Sequence, residues 1–337
     1  MLNKLEQQVV KKKFSGVITL KRNAEILINK GYGFRDRANR ILNHTDTAFG
    51  IASGTKVFTA LGILKLVEAK KLTLTTKVFD IIDQPHPSYD KEVTLHQLLS
   101  HTSGLPDYYD EDLIEDFDNF TIETPWHMLK KPSDYFLSMP DRPMKFKPGE
   151  DFHYNNGAYV MLAMVIEKIT GDYHKFLENE IFKAHHFINT GFYTLDALPE
   201  NTANGYIETE KGWKTNIYNL PIIGGGDGGL FTCSQDLLMF WDKLCNYELL
   251  SKALTDKMLS PQGPEGSDEP YGYGLWLSKE KDHYNPNLIG SDAGVSFISY
   301  KDMKEDLVVN ILSNSSEGVW DILDDVRGFV NKLKTEK

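Results

Sequence analysis

Apolar positions fall at helical spacing most clearly between Phe49 and Glu68, FGIASGTKVFTALGILKLVE. Val57, Ala60, Leu61 and Leu64 lie three and four apart, which predicts a helix with one buried face. A small, kinked run, Gly50-Ile51-Ala52-Ser53-Gly54, leads into it, and Ser53 stands where an N-cap or first-turn residue belongs. Strand patterns appear at 14–20 and 25–29, with Lys21-Arg22-Asn23-Ala24 as the hairpin turn between them. Further strand-like runs occur near the other end, at 271–277, 287–290, 295–300 and 307–312, and a helix is expected over about 318–334.

The middle of the chain reads differently. Thr94 is placed to cap a short helix that Gly104 and Pro106 close. An acidic and aromatic stretch at 107–124 predicts a loop or short helices, and 126–139 carries a helical pattern. A strongly apolar helix is predicted from Tyr159 to Thr170, stopped by Gly171, with others at 234–246 and 251–258 and a short amphipathic one at 2–13. Residues 195–220 predict loops with short strand-like pieces. Strands at both ends and helices between them imply an α+β fold, an antiparallel sheet built from both chain ends and flanked by helices, with a mainly helical insertion. The expectation is one domain, its α/β lobe at about 1–80 and 215–337 and its helical lobe at about 81–214.

Composition narrows the partners. The 337 residues are 41% hydrophobic and 25% charged, an ordinary globular balance, and the formal net charge is -11. That charge argues against nucleic acid and anionic membrane surfaces. No run approaches a membrane span. The N-terminus, MLNKLEQQVVKKKFSG, lacks an apolar core of signal-peptide length, so a cytoplasmic location is expected. Cys233 and Cys245 offer neither metal spacing nor a disulfide framework and are expected to be free thiols.

Two places carry chemistry. Ser53 and Lys56 are one helical turn apart, so the lysine can lie over the hydroxyl. A serine needs a base to become a nucleophile, and a lysine whose pKa is lowered by burial can serve. The same pair also reads simply as a helix cap and a solvent-seeking lysine. The second place is Tyr154-Asn155-Asn156, where a Pro/Gly-rich loop turns into the apolar helix. A phenol lowered in pKa by a neighbouring ammonium can relay a proton, and Asn156 can hold the lysine and donate to a substrate carbonyl. Packing and a cap explain those residues equally well.

Taken together these motifs resemble the serine β-lactamase and penicillin-binding-protein superfamily, in its class C β-lactamase, D-alanyl-D-alanine-peptidase and esterase branch. The resemblance is carried by Ser53-Gly54-Thr55-Lys56, then Leu98 to Pro106 (LLSHTSGLP), Tyr154-Asn155-Asn156, Gly228 to Leu237 (GGLFTCSQDL) and Tyr273-Gly274-Leu275-Trp276, in family order from about 14 to 333. It implies a β-lactamase/transpeptidase-like fold with no cofactor or metal, and an acyl-enzyme on Ser53. Lys56 and Tyr154 would activate that serine, Asn156 would position substrate, and the oxyanion would be held by the N–H of Ser53 and one near 293 or 294.

One family motif departs. Where a lysine or histidine, a small residue and a glycine are usual, this chain reads Leu288-Ile289-Gly290-Ser291-Asp292-Ala293-Gly294. Ser291, Asp292, Ala293 and Gly294 are therefore the candidate substrate-binding residues, with no cation among them. That points away from a substrate carboxylate and towards an uncharged or cationic ester, amide or D-amino-acid peptide. The alternative is a non-catalytic protein that binds a ligand or partner in the retained pocket.

Three features are read as structural. Gly224-x-Gly226-x-x-Gly229 matches a dinucleotide fingerprint but follows Pro221 in no βαβ unit, so close backbone packing is expected. His101 is expected to satisfy buried backbone groups. The acidic run Asp107 to Asp118 reads most simply as a solvated rim or loop, with selection of cationic substrates at the cleft as the alternative. No G-x-S-x-G elbow or zinc motif is present.

Overall fold

The computed structural model describes residues 2–264 and 270–335. Its main sheet has six antiparallel strands, numbered here β1 (Gly16–Arg22), β2 (Glu25–Tyr32), β3 (Trp276–Lys279), β4 (Tyr284–Asp292), β5 (Val295–Asp302) and β6 (Leu307–Ser313). Across the sheet they run β3-β4-β5-β6-β1-β2, so the N-terminal hairpin docks on the last strand, Gly16 opposite Ser313. The expected α+β architecture, an antiparallel sheet made by both chain ends and flanked by helices, is the one observed.

Side chains alternate across this sheet and feed two cores. On one face Ile18, Leu20, Val309 and Ile311 pack with Leu5 and Val9 of α1 (Leu2–Lys11) and Val319, Ile322 and Val326 of the C-terminal helix Gly318–Thr335. On the other face Val17, Leu288, Phe297 and Leu312 join the larger core, which contains α2 (Lys56–Glu68), the short α3 (Leu95–Leu99) and α4 (Asn156–Thr170). No helix among the described residues is long and apolar enough to cross a membrane.

Several expectations shift. The α2 helix is buried all round, Lys56 through Leu64, instead of along one stripe, because α4 and the helical segment at 173–183 pack against it. The hairpin turn shrinks to Asn23-Ala24, with Asn23 at φ 54, since β1 continues to Arg22. Tyr271 to Leu275 is not strand. Gly274 has φ 80 there and its backbone presses on the Lys56 carbonyl, where a Cβ would come within 2.7 Å. The helix expected over 126–139 splits into 3-10 turns at Trp126–Met128 and Pro132–Ser138. Pro132 removes a donor and holds Lys131 extended at φ -153, ψ 161. By contrast Thr94 makes a complete capping box with Gln97, and Gly171 ends α4 in the left-handed region at φ 91.

Candidate active site

Ser53 sits in a 3-10 turn, Ala52–Thr55, immediately ahead of α2, and its side chain caps nothing. Ala52 holds φ 45, a strained value for a residue with a Cβ, and this bend carries Ser53 out of the core to a half-buried position. Strand β4 lies against the turn. Gly290 is required at that crossing, since a Cβ there would stand 2.1 Å from the Ile51 carbonyl oxygen.

Lys56 is buried, and its Nζ reaches Ser53 Oγ at 2.9 Å, Asn156 Oδ1 at 2.7 Å and the Asp227 carbonyl at 2.8 Å. Burial holds its pKa below the ordinary lysine value, against the opposing pull of Asp227, Glu111, Asp107 and Asp292. Asn156 begins α4, and its Nδ2 donates to the Tyr109 carbonyl (2.9 Å) and Glu111 Oε1 (3.0 Å). Two acceptors on that nitrogen fix the amide's orientation, with the oxygen towards Lys56. They also occupy the hydrogens that were expected to meet a substrate carbonyl.

Tyr154 is stacked on Trp276, ring centroids 5.5 Å apart and planes 13° apart, with the His101 ring 4.4 Å away. Its ring lies 4.9 Å from Lys56 Nζ. Burial raises the phenol's pKa well above its ordinary value, with Tyr271 and Glu111 adding to the rise and the Ser53 hydroxyl opposing it. The direction is opposite to the lowering expected from a neighbouring ammonium, because desolvation of a phenolate among aromatic rings is the largest cause. His101 is fully buried and its Nδ1 accepts the Asn155 N–H at 3.0 Å, the backbone role expected of it.

The structure brings Ser53, Lys56, Tyr154 and Asn156 together, with Ser291 and Asp292 of β4 at the same cleft. It does not bring Ala293 and Gly294 there as open donors. Both lie in the β4–β5 turn, with the Ala293 N–H on Asp292 Oδ1 (3.0 Å) and the Gly294 N–H on Ser316 Oγ (2.9 Å). The second oxyanion donor expected near 293 or 294 is therefore already committed to the turn.

Four residues at or beneath the cleft were not singled out from sequence. Asp227 is buried, with its carboxyl on the Tyr108 hydroxyl at 2.6 Å, and burial raises its pKa. Its signal was a lone charge inside the glycine run at 224–229. That run packs as expected, Gly225 on Tyr135 and Gly226 on Ala163. Tyr109, Glu111 and Asp107 lie in the acidic stretch read as a solvated rim, and for Asp107 that reading fails. Asp107 is 3% exposed and accepts the N–H groups of Asn156 (2.6 Å) and Gly157 (2.8 Å), the first turn of α4. Alternation of acids with tyrosines was the available clue. Replacing Asp107 by Ala orphans two buried donors beside Asn156, and is expected to lower stability by about 1–3 kcal/mol in urea or thermal unfolding.

A cavity of about 70 Å³ opens on one side of Ser53, lined by Tyr108, Glu111, Tyr135, Asp227 and Asp292 among others. A more open groove lies on the other side, lined by Phe152, Tyr154, Trp276 and Ser291.

Comparison with known proteins places the fold and the family. A penicillin-binding protein from Bacillus halodurans is 38% identical, with a TM-score of 0.90 over 96% of this chain and 99% of that one. The D-amino acid amidase of Ochrobactrum anthropi SV3 shares the fold at 22% identity, TM-score 0.79, over 99% and 100% of the two chains. PbpX of Bacillus subtilis (strain 168) is 30% identical over 268 residues, 79% of this chain, and the chain spans 62% of PbpX's own length. The family model described as Beta-lactamase matches residues 2–327, and the chain belongs to that family.

Proposed function

We propose that the protein is a serine hydrolase that forms an acyl-enzyme on Ser53 with an ester or amide substrate. The observation that carries this reading is the hydrogen-bond set of Lys56. Nζ has three neighbours, and two of them, Asn156 Oδ1 and the Asp227 carbonyl, can only accept. A neutral amine has two hydrogens and one lone pair. The two hydrogens go to those fixed acceptors, and the lone pair is left facing Ser53 Oγ at 2.9 Å. Burial favours that neutral form.

The Ser53 proton then passes to Lys56 as Oγ bonds to the substrate carbonyl carbon. Tyr154, kept protonated by its environment, donates to the leaving atom as the carbon–nitrogen or carbon–oxygen bond breaks, and is reprotonated from Lys56. Water reverses the sequence and releases the acid. The developing oxyanion needs two N–H groups. The Ser53 N–H has no hydrogen-bond acceptor among the described residues. The second is the Ser291 N–H by register: Asp292 and Val295 close the turn as a bonded pair, so alternate residues of β4 direct their N–H groups away from β5. Strand β3 ends opposite Asn287, leaving Ser291 on the open edge.

Intact mass after incubation with p-nitrophenyl acetate, a penicillin and a serine-reactive phosphonate tests this on wild type and Ser53→Ala. An adduct on wild type that the variant lacks is expected. No adduct from any reagent would leave a binding protein on a hydrolase scaffold.

A further inference from the structure

The cavity beside Ser53 is acidic and has no cation of its own. Glu111, Asp227 and Asp292 line it, and no described lysine, arginine or histidine does. The Lys56 amine does not line it and already has Ser53, Asn156 and the Asp227 carbonyl as neighbours. Asp227 has the Tyr108 hydroxyl as its partner. Asp292 is held only through Oδ1, by its neighbour's N–H at 3.0 Å and by the Tyr109 hydroxyl at 3.4 Å. No donor among the described residues meets its other oxygen. A second group is also incomplete: the Tyr135 hydroxyl is fully buried, has no hydrogen-bond partner, and feels both Asp227 and Asp292. A fully buried hydroxyl without a partner, beside the negative charge of a half-buried carboxylate, is costly, and a ligand that brings both hydrogens and positive charge removes that cost.

The two sides of Ser53 are distinguishable. Tyr154, the proton donor to the leaving atom in the reading above, lines the open groove and not the cavity. The leaving group therefore departs through the groove, and the acyl half occupies the cavity. Asp292 is one residue beyond Ser291, which places a carboxylate close to the carbonyl being attacked.

We propose that the cavity binds a primary ammonium on the acyl half of the substrate, with Asp292 as its counter-charge and Tyr135 as a further acceptor. The substrates are then esters or amides of amino acids, or peptides, that carry a free amine. This rests on the hydrolase reading. It also fits the missing cation of β4, since the site selects positive charge where relatives of the resembled type select a carboxylate. Asp292, pushed up to about 7 by burial and by Asp227 and Glu111, with Lys56 and the Ala293 N–H opposing, must ionise to hold the ammonium. Preference for the amine accordingly grows as pH rises through about 7, until the substrate amine itself loses its proton near 8.

The test compares kcat/KM for L- and D-alanine p-nitroanilide with their N-acetyl forms, on wild type, Asp292→Asn and Tyr135→Phe, with phosphonate labelling of Ser53 run alongside. The free amine is expected to be favoured about tenfold or more for at least one enantiomer. Asp292→Asn should collapse that ratio, and Tyr135→Phe, which deletes only the unpaired hydroxyl, should reduce it in part. Equal turnover of acetylated and free substrates, or no turnover of the free amine by an enzyme whose Ser53 is labelled, overturns the inference and leaves the hydrolase standing. Absence of labelling overturns both.

Discussion

Lys56→Ala is expected to slow acylation of Ser53 by roughly 10³–10⁴-fold, the range set by loss of a positioned general base. The measurement is the rate of adduct formation with an activated ester or a phosphonate, followed by mass. The size of the effect comes from the absence of a substitute. Ser53 Oγ has Lys56 at 2.9 Å, whereas Tyr154 beside it is held protonated by burial and gives up its own proton only reluctantly. The wild-type pH profile carries the same information. A base acts when deprotonated, so acylation rises with pH through the pKa of Lys56, and burial moves that limb below the ordinary lysine range. Lys56→Ala should lose the limb altogether. If the variant labels as fast as wild type, or keeps the limb, another group takes the serine's proton. Lys56→Ala also leaves Asn156 Oδ1 and the Asp227 carbonyl without their donor, so the folded fraction is checked by circular dichroism before rates are compared.

Asp292→Asn is expected to stabilise the protein at pH 8 and to have little effect near pH 4. In the fold the Asp292 carboxyl titrates at about 7, against an ordinary 3.8, chiefly because burial penalises its charge. A carboxyl whose pKa is raised in this way favours the folded state while it is protonated. That contribution is lost progressively as pH climbs through the folded value, because ionising the group is harder in the cleft than in the unfolded chain. Asparagine stays neutral, and its oxygen can still accept the Ala293 N–H that now rests on Asp292. The gain at pH 8 is about 2–4 kcal/mol by the usual conversion, with the lower figure favoured for a side chain that is only half-buried. Thermal unfolding of both proteins across pH 4–9 measures it. A Tm difference that is flat with pH, or that favours the wild type at pH 8, would show that the charge at Asp292 is not strained. A stabilised variant that also loses its preference for amines would mark Asp292 as a group kept for binding at a cost in stability.

Much of this could be read in the chain itself, and the reason is locality. Ser53 and Lys56 are three residues apart at the start of a helix, so one turn of backbone geometry brings them together whatever surrounds them. The caps at Thr94 and Gly171, the period-two strands of the two termini and the sequence order of the motifs are likewise short-range facts, and the antiparallel sheet made from both ends follows from them. Pro132 is local too, and its power to break the pattern at 126–139 was there to be weighed.

Tertiary structure decided what depends on depth and on long loops. Sequence gives aspartate the same solvent-seeking character everywhere, so nothing in it separates Asp107, buried under the start of α4, from the exposed Asp112 five residues later. Asp227 and Asn156 lie 171 and 100 residues from Lys56, and only packing places both acceptors on one nitrogen. Which N–H of the β4 region faces Ser53 depends on register, and a shift of one or two residues changes the answer from the turn at Ala293 and Gly294 to the open edge at Ser291. The pKa values invert for the same reason. Proximity to Lys56 suggested an acidified Tyr154, but the ring is enclosed by Trp276, His101 and Tyr271, and desolvation, a property of the folded interior alone, raises its pKa instead.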